Sequence, residues 1–132
     1  MAGHNSKGVP YRVLIIDDSA FIAKQLGMIL ISEGFEVVDT AVDGFQGIEI
    51  YKAMHPNIDL VTLDITMKGM DGISTLEKIL EFDNQAKVIM ISALGSEDVV
   101  KQCIVMGAKG YIVKPLNRDK VLIRILPLLK KY

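Results

Sequence analysis

Five short runs of mostly aliphatic residues, "YRVLIID" (11–17), "EVVDTA" (36–41), "IDLVTLD" (58–64), "KVIMIS" (87–92) and "GYIV" (110–113), alternate with longer segments of helical spacing. Those segments are Ser19–Glu33, Gly44–Met54, Ile73–Phe82, Glu97–Met106 and Arg118 onward. A strand that is apolar along nearly its whole length has no face for water, so both of its faces must be covered. Alternation with three-turn helices supplies that cover and forces parallel pairing through right-handed crossovers. The expectation is an α/β fold, a (βα)5 doubly wound five-stranded parallel sheet. Asp43, Ser96 and Asn117 stand where N-caps are needed, and Gly34 and Gly107 where helices stop. Pro127 falls inside the last helical segment, where it removes a hydrogen bond and is expected to kink or shorten the helix.

At 132 residues the chain has room for one domain of ordinary size. Residues 1–10 are small and polar and read as a flexible N-terminal tail, leaving 11–132 as the domain. Lys plus Arg (15) nearly balances Asp plus Glu (16), so no basic excess exists to draw the chain to nucleic acid or an anionic membrane. The single cysteine, Cys103, has no partner for an intramolecular disulfide, and the N-terminus lacks the apolar run of a secretory signal. The most apolar window, Ala20 to Ile31, is broken by Lys24 and Gln25 and falls short of the roughly 20 residues that cross a bilayer. A cytoplasmic monomer is expected. His4 and His55 are isolated and read as surface residues.

In an open parallel sheet, ligands bind beyond the carboxyl ends of the strands. Strand one ends at Asp17–Asp18, strand three at Asp64, strand four at Ser92–Ala93 and strand five at Lys114–Pro115. Carboxylates brought together repel and raise one another's pKa unless a cation relieves them. With oxygen ligands and no His or Cys among them, the fitting ion is hard, and magnesium (Mg2+) with retained water suits two or three protein ligands. Magnesium in turn points to phosphate. Lys114 can neutralise a phosphoryl oxygen, Ser92 can hydrogen-bond another, and a carboxylate beside the metal can be the nucleophile. Taken singly, each residue has a plainer reading: Asp17–Asp18 as acids favoured at a helix N-terminus, Asp64 as a loop acid, Lys114 as a solvated charge, Ser92 as a turn residue.

The set "DDSAF" (17–21), "DITM…MDG" (64–72), "SALG" (92–95) and "GAKGYIVKP" (107–115) resembles the receiver domain of the two-component response regulators, in its stand-alone CheY-like form. The resemblance runs from about Tyr11 to the end of the chain. It implies the flavodoxin/CheY-like strand order 2-1-3-4-5. Asp64 matches the phosphoacceptor, which takes a phosphoryl group from a phosphohistidine on a sensor histidine kinase. Asp18 would bind Mg2+ directly, Asp17 mainly through water, and the Thr66 backbone carbonyl would complete the protein's share. Ser92 and Lys114 match the residues that contact the phosphoryl group, Tyr111 matches the aromatic that moves on activation, and the Lys114–Pro115 bond is expected to be cis. Such a domain is not a turnover enzyme; it promotes its own phosphorylation and dephosphorylation.

Ser92 stands where threonine is commoner in the family, and one position departs further from its pattern. Four residues after the phosphoacceptor, where proline is usual, stands Lys68, followed by Gly69. In the fourth helix, Val100 and Ile104 are expected to face the core. Val99, Cys103 and Met106 then form an adjacent ridge that, with Lys109, Tyr111 and Arg124, makes an output face. With no effector domain attached, the output is binding, and the motif set is most like chemotaxis regulators that act on the flagellar motor switch. A phosphatase is a further possible partner. Rival readings are a phosphorelay carrier that passes its phosphoryl group to a histidine phosphotransfer protein, and a scaffold pseudo-receiver, against which the complete acid, hydroxyl and lysine set argues. A phosphatase of the haloacid dehalogenase type requires a second acid two residues after the nucleophile, where this chain has Thr66.

Overall fold

The computed structural model of the chain describes residues 1–130, so the last two residues of the expected domain lie outside the described residues. Five strands and five helices alternate: β1 (Arg12–Ile16), α1 (Ala20–Ser32), β2 (Glu36–Ala41), α2 (Gly44–Met54), β3 (Leu60–Asp64), α3 (Gly72–Phe82), β4 (Val88–Ser92), α4 (Glu97–Met106), β5 (Gly110–Val113) and α5 (Arg118–Leu129). All four strand pairings are parallel, in the order β2-β1-β3-β4-β5. Fold class and strand order are those expected.

The period of two along each strand divides the core into two layers. Leu14, Ile16, Val61, Leu63 and Met90 point to the side covered by α2, α3 and α4, where Tyr51, Leu76, Ile79, Val100 and Cys103 meet them. Val13, Ile15, Leu60, Ile89 and Ile91 point to the side covered by α1 and α5, against Leu26, Leu30, Val121 and Ile125. Every residue of β3 and β4 is buried, as their largely apolar character requires.

Side chains fix the helix starts. Asp43 accepts the Gln46 N–H at 2.8 Å, Asp71 that of Ser74 at 2.8 Å, and Asn117 that of Lys120 at 2.9 Å. Ser96 stands at the start of α4 but makes no side-chain cap. The helix α5 runs through Pro127 to Leu129. Proline costs it the bond to the Ile123 carbonyl, and both residues are exposed, so solvent can reach the orphaned oxygen.

The first ten residues are not the loose tail expected. The Gly3 N–H donates to the Glu33 carbonyl at 2.7 Å and its carbonyl accepts from Tyr11 at 2.7 Å, hooking the segment onto the α1–β2 turn. Asn5 Oδ1 takes the N–H groups of Lys7 and Val9 and closes the intervening turn. Gly3 is buried where a side chain would run into the Phe35 backbone, a contact that hydropathy does not announce.

Thr62 in β3 is buried with its Oγ1 lacking a partner among the described residues. An unpaired buried hydroxyl costs its desolvation without return. Thr62→Val is therefore expected to raise stability by about 1 kcal/mol in urea unfolding; a loss of stability would show that the hydroxyl is hydrogen-bonded after all.

Candidate functional site

The site is built from strand ends that the sheet holds side by side. Asp17 follows β1, Asp64 closes β3, Ser92 closes β4 and Lys114 follows β5. The β4 and β5 ends are tied directly, the Lys114 N–H donating to the Ser92 carbonyl at 2.8 Å. Lys120 Nζ anchors the next turn, donating to the carbonyls of Pro115 at 3.0 Å and Val113 at 3.3 Å. The Lys114–Pro115 bond is cis, as expected, and so is His55–Pro56, which the sequence did not announce.

One carboxylate oxygen from each of Asp17, Asp18 and Asp64 lies within 4.8 Å of the other two. Asp17 and Asp64 are buried and Asp18 is exposed. The acids are held by main-chain donors: Asp17 Oδ1 accepts from Ser19 at 2.8 Å, Asp64 Oδ1 from Thr66 at 3.3 Å, and Asp18 Oδ2 from Lys68 at 3.1 Å. Neither Asp17 nor Asp18 caps α1; Ser19 does, accepting the Ile22 N–H at 3.3 Å. The plainer reading of the acid pair as helix caps is therefore not what the structure shows.

Lys114 Nζ sits 3.6 Å from Asp64 Oδ1. That one cation does not offset the burial. Burial lifts Asp17 to about 6, opposed by the Ser19 N–H and Lys114 and reinforced by Asp64 and Asp18. Asp64 is pushed up by burial too, against the pull of Lys114 and the Thr66 N–H. Three oxygens converge here with more negative charge than the protein neutralises. Two ligands of magnesium are at most about 4.1 Å apart, so oxygens separated by as much as 4.8 Å would not all bind the ion directly and one would act through a retained water. The donor set, all oxygen, suits a hard cation of this size.

The loop after β3 needs its glycines. Gly72 opens α3 so close to the end of β3 that a Cβ would strike the Asp64 carbonyl, and Gly69 has φ +77°, a left-handed conformation that favours glycine. Met67 is buried, while Thr66 and Lys68 are exposed.

The expected output face needs correction. Cys103 is fully buried beside Val100, while Val99 and Met106 are half-buried and packed on the same core. Ile104, expected in the core, is exposed, and Val105 is 88% exposed. The helix is rotated by about one residue from the expected phase, because Val100 and Cys103, not Val100 and Ile104, meet the sheet. Its outer face instead borders a groove of about 450 Å³ lined by Ser92, Val100, Lys101, Ile104, Val105 and Tyr111. Tyr111 is half-buried with the Arg124 guanidinium 4.9 Å from its ring centroid, and Lys109 is exposed.

Among the described residues no helix is long and apolar enough to cross a membrane. The response regulator receiver domain family matches residues 13–126. The chain is 64% identical over 129 residues to the chemotaxis protein CheY of Treponema pallidum, covering 98% of this chain and 90% of that one. It is 49% identical over 112 residues to CheY of Bacillus subtilis, covering 85% and 92%. Among solved structures, the CheX–CheY–BeF3–Mg2+ complex from Borrelia burgdorferi aligns with a TM-score of 0.94 at 56% identity, over 98% of this chain and 97% of that one. Family match, strand order and the acidic strand ends agree, and the chain belongs to the response regulator receiver domain family, in its CheY-like form.

Proposed function

We propose that this chain is a single-domain response regulator of chemotaxis that accepts a phosphoryl group on Asp64 and signals by phosphorylation-dependent binding. The observation that carries the reading is the meeting of three carboxylates within 4.8 Å at the strand ends, with Lys114 Nζ 3.6 Å from Asp64. Asp17, Asp18, Asp64 and the Thr66 carbonyl would hold Mg2+. Bound there, the ion supplies positive charge that neutralises the carboxylates and the phosphoryl oxygens.

The donor is the phosphohistidine of a chemotaxis-type sensor kinase. A carboxylate oxygen of Asp64 forms a bond to phosphorus as the phosphorus–nitrogen bond breaks, and the electron pair leaves with the imidazole. Lys114 holds its charge against the transferred group, and Ser92 offers its hydroxyl to a phosphoryl oxygen. The chain is a phosphoacceptor rather than a conventional turnover enzyme: it promotes its own phosphorylation and dephosphorylation, and the phosphorylated protein is itself the signal. Hydrolysis restores it, assisted by a phosphatase partner; the relative solved in complex with CheX supports a dedicated protein partner.

Phosphorylation adds about −1.5 to −2 charge beside Ser92 and Lys114. Ser92 also lines the α4–β5 groove, so its displacement reaches Tyr111 and the outer face of α4. The flagellar motor switch is the proposed partner, favoured over a phosphorelay role by the similarity to proteins named for chemotaxis.

Incubation with acetyl phosphate and MgCl2 is expected to add one phosphoryl mass to the intact protein, and none to Asp64→Asn or to wild type in EDTA. An adduct on Asp64→Asn sinks the assignment of the acceptor. The raised Asp17 also sets a pH dependence. The folded metal-free protein holds a proton that the unfolded chain, with a pKa near 3.8, gives up, so this group's contribution is fully present below that value and fades as pH rises through about 6. In EDTA, wild type is expected to melt higher at pH 5 than at pH 7, and Asp17→Asn to reduce the gap by on the order of 1 kcal/mol, or about 4 °C. An equal gap in both proteins contradicts this account. On the output face, Val105→Glu and Arg124→Glu are each expected to weaken binding of the phosphorylated protein to the motor switch at least about tenfold without lowering its melting temperature; unchanged binding in both removes this face from the interface.

A further inference from the structure

The exposed member of the acidic cluster is held in a way the other two are not. Asp17 and Asp64 each accept an N–H from two residues along the same turn. Asp18 Oδ2 instead accepts the main-chain N–H of Lys68, fifty residues later, at 3.1 Å. This bond ties the β1–α1 loop to the β3–α3 loop across the mouth of the site. An exposed Asp side chain is free to turn toward water, and a second hydrogen bond to a ligating carboxylate is what fixes its orientation.

We propose that the Lys68 main-chain amide is a positioning group for the metal: it holds Asp18 toward Asp17 and Asp64 and so raises the affinity for Mg2+ before any phosphoryl group arrives. The inference rests on the magnesium reading of the acidic cluster. The Lys68 side chain takes no part in it. The group that acts is the main-chain N–H, which every residue except proline carries. At the place where proline is usual among receiver domains, this chain therefore has a donor that proline could not supply.

The local backbone makes the idea testable. Gly69 has φ +77°, a conformation glycine adopts without strain, and the position before it, Lys68, is the one where receiver domains usually carry proline. Gly72 and the buried Met67 hold the loop on either side. Lys68→Pro removes the donor and places there the residue usual in the family, and Lys68→Ala removes the side chain with the donor kept.

The experiment is a titration of MgCl2 alone into the metal-free, isotope-labelled full chain at fixed ionic strength, followed by the amide resonances of the two loops. Lys68→Ala is expected to bind within about twofold of wild type and Lys68→Pro about tenfold more weakly, the scale of lost outer hydrogen bonds to metal ligands. Equal affinity of Lys68→Pro and wild type overturns the proposal, and so does an equal loss in both variants, which would assign the effect to the side chain. No binding of Mg2+ by wild type overturns the metal reading beneath it, a result distinct from the other two. If Lys68→Pro does not fold, the wild-type protein decides: its Lys68 amide is expected to exchange with solvent on the order of tenfold more slowly than in a free peptide, and exchange at the free-peptide rate overturns the bond itself.

Discussion

The central strands β1, β3 and β4 have no side that faces water, and most of what is distinctive in this molecule follows from that. With helices on both faces, a charged side chain has nowhere to go along these strands except their ends. Ile16 gives way to Asp17, and Leu63 to Asp64, at the carboxyl edge. Parallel pairing with Ile16 opposite Leu63 then places the two acids side by side. The cost is a carboxyl group harder to ionise: burial raises the pKa of both, and Lys114 offsets it only in part. A site that stores repulsion among fixed carboxylates is already shaped for a small, hard cation, and a cation there is shaped for phosphate.

The same rigidity limits how the site can act. The acids are anchored by strands and by main-chain donors from Ser19, Thr66 and Lys68. Little at the acid cluster is free to move. The groups at its rim whose polar atoms can answer a change of charge are the side chains of Lys114, 3.6 Å from Asp64, and Ser92, at the end of the neighbouring strand. A change of charge at Asp64 is therefore felt at the rim before it is felt in the core.

Most of the architecture was legible in the sequence because it rests on local rules. Short, mostly apolar runs gave strands whose observed bounds differ from the expected ones by at most two residues, and Asp43 and Asn117 cap as their types suggest. The strand-end residues followed from topology alone. What was missed has no local signature. Gly3 hooks onto Glu33 main chain to main chain, and Lys68 reaches the Asp18 carboxylate through its main-chain N–H, a donor that side-chain type does not announce. Lys120 bracing the turn after Lys114, and the Tyr51 hydroxyl donating to Asp83 at 2.6 Å between α2 and α3, join residues whose types fit a solvated surface or a core equally well. In α4 the phase was ambiguous because Val99, Val100, Cys103, Ile104, Val105 and Met106 offer two overlapping apolar stripes. Only contact with the sheet selects between them.

That selection matters for how a signal leaves the site. With Val100 and Cys103 committed to the core, Ile104 and Val105 are left outside, and the groove beside them begins at Ser92, at the end of the strand next to Asp64. Tyr111 stands at the same groove under the Arg124 guanidinium, an arrangement worth about 0.5–1 kcal/mol at an exposed site. Carrying a two-state equilibrium from 1:99 to 99:1 takes about 5.5 kcal/mol. The Tyr111–Arg124 contact is therefore a weak latch, small beside the charge-assisted hydrogen bonds that Ser92 and Lys114 can form with a phosphoryl group. In the proposed switch, a latch of that size would leave the groove free to exchange, so that a phosphoryl group on Asp64 would need only to bias the populations of the two arrangements.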